Sequence, residues 1–249
     1  MSLSPPDPVL PVTALILAGG FGERLRSVVA DRPKPMAVVC GIPFLEILIR
    51  SLAAKGVRNF VLLTGYMGDM IEDHFKVAFD GRLNIRFSRE AEPLGTGGAV
   101  KLAESLAGDP SLLVNGDTFF DADLAPLLAF HEQKSARVTL SLYPVNDVGR
   151  YGSVGVNDSG RVTGFQEKAQ GLGAGVINAG VSVLSKKFIE SLPAKPFSME
   201  QEVFPRLVEA GGMFGLRQQR PFFDIGTPES YRDFVRFVKE HPEYAACAP

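Results

Sequence analysis

Between Thr13 and Asn115, short apolar runs alternate with stretches of helical spacing, and this alternation constrains the fold more than any other feature of the chain. Residues 13–18 form an apolar run that ends in glycines, the pattern of a strand buried on both faces. Residues 44–54 carry apolar side chains at helical spacing and stop at Lys55-Gly56. Residues 60–64 read as a second buried strand, 69–75 as a short helix, 83–88 as a third strand, 95–106 as a helix opened by glycines and 111–115 as a fourth strand. Parallel neighbours need long crossovers, so this order predicts a mostly parallel sheet covered on both faces. Right-handed crossovers bring the C-terminal ends of those strands to one edge, where ligands bind.

The second half changes character. Residues 137–143, 153–157, 161–166 and 176–184 are β-rich and divided by turn signals such as Asn157-Asp158-Ser159-Gly160, and helical patterns return at 199–209 and 228–238. The expected class is α/β, a Rossmann-like three-layer sandwich with a mostly parallel central sheet and added antiparallel ribbons. There is no repeat or low-complexity block. Residues 13–240 therefore read as one unit, with halves of about 13–135 and 136–240, between a proline-rich leader at 1–12 and a tail at 241–249.

The predicted ligand edge carries an anion cradle. Leu17-Ala18-Gly19-Gly20-Phe21-Gly22-Glu23-Arg24 leaves the first strand, and Arg32-Pro33-Lys34-Pro35-Met36 follows. Gly19, Gly20 and Gly22 let backbone N–H groups approach an anion closely. Arg24 can fork onto two phosphate oxygens, and Lys34 is a point charge clamped by two prolines. A dinucleotide fingerprint would place glycine where Leu25 stands, and the Gly-Lys-Ser/Thr of a phosphate-binding loop is absent.

Asp117 directly follows the fourth strand, and Asp224 follows the aromatic pair Phe222-Phe223 ahead of a helical pattern. Mg2+ takes one or two carboxylates plus phosphate oxygens, so a shared Mg2+ is the expectation at these two positions. Glu92-Pro93-Leu94-Gly95-Thr96-Gly97-Gly98 is a second glycine turn. Its backbone suits either a flat nucleobase or a tightly packed helix N-terminus. Glu167 and Asn178 suit sugar hydroxyls, Lys168 a monophosphate and Gly152 the close approach of a sugar ring; ordinary polarity on β ribbons is the alternative.

The remaining composition mostly excludes. A net charge of −2 gives no global pull toward nucleic acid or membrane. Two cysteines, Cys40 beside a strand and Cys247 in the tail, argue against a disulfide framework and for a reducing compartment. No run is long and apolar enough to span a bilayer, and the leader lacks the marks of a signal peptide, so the cytoplasm is expected. His74, His131 and His241 have no metal-ligand spacing, and there is no Gly-x-Ser-x-Gly elbow.

Taken together, the motifs resemble the sugar-1-phosphate nucleotidyltransferase family, also called nucleoside-diphosphate-sugar pyrophosphorylases. The matching pieces are GGFGERL from Gly19, RPKPM from Arg32, EPLGTGGA from Glu92, NGDTFF from Asn115, GRYGSV from Gly149, EK at Glu167, NAG from Asn178 and FDIGTPESY from Phe223, spread over residues 13–234. Glu23 departs from the pattern, standing where the family usually has threonine.

The resemblance implies the nucleotide-diphospho-sugar transferase fold and a reaction that joins a nucleoside triphosphate to a sugar 1-phosphate with release of pyrophosphate. It assigns catalysis to Arg24, Lys34 and Asp117, and Mg2+ to Asp117 and Asp224. It places the nucleotide against Leu17, Ala18, Gly19, Gly20, Gly22, Glu92, Gly95, Thr96 and Gly97. The sugar phosphate falls to Asn115, Gly152, Glu167, Lys168 and Asn178. EPLGTGGA is more similar to the guanylyl-transferring members than to the thymidylyl or uridylyl ones, so GTP is the expected nucleotide. A heptose 1-phosphate, with mannose 1-phosphate next, is the expected sugar, and surface polysaccharide synthesis the implied setting.

No nucleic acid or membrane partner is expected, and a homo-oligomer is left open. Two rivals remain. A non-catalytic nucleotide-sugar sensor would be expected to lose Arg24, Lys34 or an aspartate. A glycosyltransferase would use an Asp-x-Asp motif, a form that Asp121-Ala122-Asp123 has, although its position reads better as the N-cap of the following helix.

Overall fold

The computed structural model describes residues 9–20, 25, 29, 31–166 and 173–246. In chain order, the first half holds β1 (Thr13–Leu17), the short hairpin β2 (Val38–Val39) and β3 (Ile42–Pro43), α1 (Phe44–Ala54), β4 (Asn59–Thr64), α2 (Gly68–Phe75), β5 (Asn84–Arg89), α3 (Gly95–Leu102), β6 (Ser111–Asn115), β7 (Thr118–Phe120) and α4 (Leu124–Gln133). The second half holds β8 (Val138–Val145), β9 (Ser153–Val156), β10 (Val162–Gln166), β11 (Gly175–Leu184), α5 (Lys186–Glu190), α6 (Phe204–Glu209), β12 (Met213–Arg217), β13 (Phe222–Asp224), α7 (Pro228–Glu240) and α8 (Glu243–Ala246).

Seven strands form one sheet in the order β12-β8-β11-β6-β1-β4-β5. β1 runs parallel to β4 and β6, β4 to β5 and β12 to β8, while β11 runs antiparallel to both its neighbours. The apolar runs predicted as buried strands are buried because each of their faces meets a helical layer. Ala14, Ile16, Phe60, Leu62, Leu112 and Val114 join a core with Phe44 of α1, Ile71 of α2 and Phe234 of α7. Their alternates Leu15, Val61, Leu63 and Leu113 join a second core with Val100 of α3, Phe188 of α5 and Phe204 of α6. Each fully buried Val, Leu, Ile or Phe among them contributes about 1.5–3 kcal/mol relative to exposure, so the period-two pattern holds the register. Antiparallel ribbons β9–β10 and β7–β13 complete the expected mixed architecture.

Three local features differ from the sequence expectation. The helix predicted to reach residue 106 ends at Leu102, and a tighter turn, Glu104–Leu106, follows. The released carbonyls of Leu106 and Ala107 are taken by Arg86 (2.9 Å) and Lys186 (3.1 Å), donors that local periodicity does not reveal. The helix predicted over 199–209 opens as a π turn, Met199–Val203, before α6. Pro205 has no N–H to give to Gln201, which removes one ordinary helical bond at that point. Asp123 does occupy the N-cap position of α4, but its side chain makes no capping bond and instead pairs with Arg220 at 3.3 Å.

α4 also carries a pH-sensitive contact. His131 is buried and its Nδ1 lies 2.9 Å from the Thr139 hydroxyl. Burial holds its pKa below the ordinary 6.5. A depressed folded-state pKa contributes stability that is present above the unfolded value and is lost as pH falls through the folded one. Denaturant midpoints should therefore fall on going from about pH 7.5 to acid below about pH 6, and fall less in His131→Gln. Equal falls in both proteins would assign the pH response to other groups.

Candidate active site

The strand order reverses at β1 and β6, and the chain leaves these two adjacent strands at the C-terminal edge of the sheet. Leu17 lies opposite Asn115. Ala18 N–H donates to the Leu63 carbonyl and Gly116 N–H to the Leu17 carbonyl, both at 2.9 Å. A Cβ at Gly116 would overlap that carbonyl, so glycine is what lets the two loops part so closely.

Above this point lies a cavity of about 650 Å3, a size typical of a small-molecule site. Leu17, Ala18, Gly19 and Gly20 line it from one side and Gly95 and Thr96 from another, with Lys34, Asn115 and Asp117 beside them. A second cavity of about 290 Å3 adjoins it, lined by Arg150, Tyr151, Phe165, Asn178 and Asp224. Asn115, Asp117 and Glu200 line both.

The two aspartates converge through the β7–β13 ribbon. Thr118 pairs with Asp224, which sets Asp224 beside the residue that precedes Thr118. Lys34, in a short turn between Pro33 and Pro35, reaches between the carboxylates. Its Nζ is 2.7 Å from Asp117 Oδ2 and 3.8 Å from Asp224 Oδ1, with a side chain only 9% exposed. Arg150 approaches Asp224 Oδ2 at 3.6 Å, and Gly226 N–H donates to Asp224 Oδ1 at 2.7 Å. A buried cation drawn between two carboxylates marks the spot as one that favours positive charge. Among the described residues no three His, Cys, Asp or Glu side chains form a metal cluster. The pair still fits Mg2+, whose other ligands would be phosphate oxygens and water.

Several expected residues fall elsewhere. Glu92 is exposed and does not line the cavity; Glu90 does. Glu90 is half-buried, and burial raises its pKa from the ordinary 4.5. Its Oε2 accepts the Leu94 N–H at 3.0 Å, and its Oε1 lies so near Gly19 and Gly65 that a Cβ on either would approach to 2.8 or 2.7 Å. Glu90 follows β5 at the same edge of the sheet where Asp117 follows β6, but β5 is a half-buried edge strand, so burial of the strand did not single it out.

Gly97 is buried, donating to the Phe197 carbonyl at 3.1 Å with the Phe197 ring filling the space a Cβ would need, so it packs the loop and lines neither cavity. Gly152 is buried with φ +83°, and its N–H bonds the Val148 carbonyl at 2.9 Å; the adjacent Arg150 and Tyr151 line the smaller cavity instead. Gly22, Arg24, Glu167 and Lys168 lie outside the described residues. The Asp-x-Asp segment serves elsewhere: Asp121 is buried and held by Lys55 Nζ at 2.5 Å and the Tyr244 hydroxyl at 2.9 Å.

Residues 13–241 match the family described as Nucleotidyl transferase. The chain belongs to that family. This nucleotidyl transferase is 40% identical over 222 residues to the D-glycero-alpha-D-manno-heptose 1-phosphate guanylyltransferase of Aneurinibacillus thermoaerophilus, covering 88% of its own length and 95% of the relative's. It is 38% identical over 229 residues to the mannose-1-phosphate guanylyltransferase of Mycobacterium tuberculosis, covering 90% of its own length and 63% of the relative's. The crystal structure of HddC from Yersinia pseudotuberculosis complexed with GMP-PN superposes with a TM-score of 0.80 at 35% identity, covering 91% of this nucleotidyl transferase and 99% of HddC. Among the described residues no helix is long and apolar enough to cross a membrane.

Proposed function

We propose that this nucleotidyl transferase joins GTP to D-glycero-α-D-manno-heptose 1-phosphate, forming GDP-heptose and pyrophosphate, in the cytoplasm and for surface polysaccharide. The observation that carries the reading is the pair of adjoining cavities that meet at Asp117, where Lys34 lies against Asp117 and near Asp224. Two phosphorylated substrates need two compartments with a shared, cation-favouring boundary.

The larger cavity suits the nucleotide, with Glu90 set to accept the two N–H groups that guanine presents along one edge. Adenine offers no such pair of adjacent donors. The smaller cavity suits the sugar, with the Asn178 amide and the Tyr151 and Phe165 rings in its wall. Heptose is preferred over mannose because the heptose relative is matched over 95% of its length, against 63% for the mannose relative.

In the proposed reaction an oxygen of the sugar phosphate attacks the α-phosphorus in line. A new P–O bond forms, the bond to the β-phosphate oxygen breaks, and pyrophosphate carries away the electron pair. The attacking oxygen is already largely ionised, since the second phosphate pKa lies near about 6. No general base is required, and among the described residues no histidine lines either cavity. What the protein must supply is relief of repulsion between phosphates. Lys34, against Asp117 at the junction, and Arg150, beside Asp224 in the smaller cavity, suit that role; Arg24 and Lys168 are added on the resemblance alone. Asp117 and Asp224 would hold Mg2+, which would neutralise charge on the phosphate oxygens.

The test is a matrix of GTP, ATP, UTP and dTTP against the 1-phosphates of heptose, mannose, glucose and N-acetylmuramate, read by pyrophosphate release. GTP with heptose 1-phosphate should give the highest kcat/KM. A tenfold preference for UTP or dTTP, worth about 1.4 kcal/mol, would overturn the base assignment. A higher value with mannose 1-phosphate would replace the sugar.

A further inference from the structure

Glu200 borders both cavities, and no sequence motif singled it out. It sits in the π turn Met199–Val203, where Ser198 Oγ accepts the Gln201 N–H at 3.2 Å. Widened turns of this kind occur frequently at functional positions. One oxygen of Glu200 is already committed. Its Oε2 accepts from the Thr96 hydroxyl at 2.6 Å and the Ser198 hydroxyl at 3.0 Å. The Thr96 oxygen in turn accepts the Met199 N–H at 2.9 Å. Thr96 lies in the first turn of α3, so the glycine loop itself steadies the carboxylate. Among the described residues, none donates to Oε1.

An ionised carboxylate has no proton to give, so it repels a phosphate oxygen and pairs only with donors. In the smaller cavity its neighbours are Asn178, Phe165 and Tyr151, and on the proposed reading the donors brought there are the hydroxyls of a sugar. We propose that Glu200 is a specificity-determining residue for the sugar 1-phosphate. Its free Oε1 accepts a ring hydroxyl while Thr96 and Ser198 hold the other oxygen in place. This inference rests on the proposed function of the two cavities.

The experiment compares wild type, Glu200→Gln and Glu200→Ala by steady-state kinetics, with GTP binding measured by calorimetry. The KM for heptose 1-phosphate should rise about tenfold to a hundredfold in Glu200→Ala, the range for a lost hydrogen bond to a charged group. The dissociation constant for GTP should stay within about twofold, which also shows that the variants are folded.

A series of singly deoxygenated mannose 1-phosphates then separates contact from scaffold. One deoxy analogue should be penalised in wild type and bring no further penalty in Glu200→Ala. Equal losses across the whole series would overturn the contact. A penalty that instead disappears with 2′-deoxy-GTP or 3′-deoxy-GTP would assign Glu200 to the ribose and also overturn it. Wild-type turnover with unaltered Glu200 variants defeats this inference alone, whereas absence of wild-type turnover in the substrate matrix defeats the proposed function and this inference with it.

Discussion

Asp117→Asn and Asp224→Asn should each lower kcat/KM on the order of 10²–10³-fold, the scale for losing a preorganised electrostatic group at a reacting centre. Both substitutions keep the shape of the side chain and remove one negative charge. At Asp224 the Gly226 N–H can still bond the amide oxygen, so the β7–β13 ribbon keeps its end. At Asp117 the carboxylate is 44% exposed while Lys34 is only 9% exposed, so Asp117→Asn leaves the buried ammonium with the new amide oxygen and Asp224 as partners and keeps the fold. A large loss of turnover with little loss of fold is therefore the expected signature. Pyrophosphate release measured across a Mg2+ titration, beside thermal melts of the same proteins, checks it. Near wild-type activity of Asp224→Asn at low Mg2+ would remove that residue from the proposed metal pair.

Glu90→Gln should abolish most of the preference for GTP. A carboxylate takes two N–H donors from one ligand edge, whereas an amide offers one acceptor and places an N–H against the second donor. Sites built to pair a polar group discriminate by about 10⁴-fold, because the mismatched partner is left buried and unpaired. The variant should lose at least about 10²-fold in kcat/KM with GTP and gain relative activity with UTP, whose base carries both an N–H and a carbonyl on that edge.

The same carboxylate predicts a pH effect. Burial raises the pKa of Glu90, so GTP binding to wild type should weaken as pH falls through a value above the ordinary 4.5, while Glu90→Gln should show no such dependence. Competition binding at several pH values reads both effects. An unchanged nucleotide order in Glu90→Gln would move base recognition to the backbone of the loop.

Much of this architecture is legible in the linear sequence because burial has a period. Ala14 and Ile16 face one core and Leu15 the other, so an uninterrupted apolar run from Thr13 to Leu17 already states that both faces are covered. The helix Phe44–Ala54 is where its spacing and the Lys55-Gly56 stop place it. The edge rule for parallel strands was enough to bring the glycine loop at Gly19 and the Gly116-Asp117 turn to one cavity. The motif resemblance carried the family, since it depends on which residues occur and not on where they meet.

What depended on the tertiary structure is everything set by partners distant in the chain. Asp224 stands beside Asp117 because β13 pairs with β7, a register no local pattern encodes. Glu90 rather than Glu92 enters the cavity because β5 runs one residue past its predicted end, to Arg89, before the chain turns, and the carboxylate then settles against Gly19 and Gly65 from two other loops. Glu200 reaches both cavities only because a π turn opens before Pro205 and Thr96 catches its carboxylate. Sequence periodicity reports how much of each face is buried; the identity of what buries it is a long-range choice, made by packing and hydrogen bonding when the strands assemble.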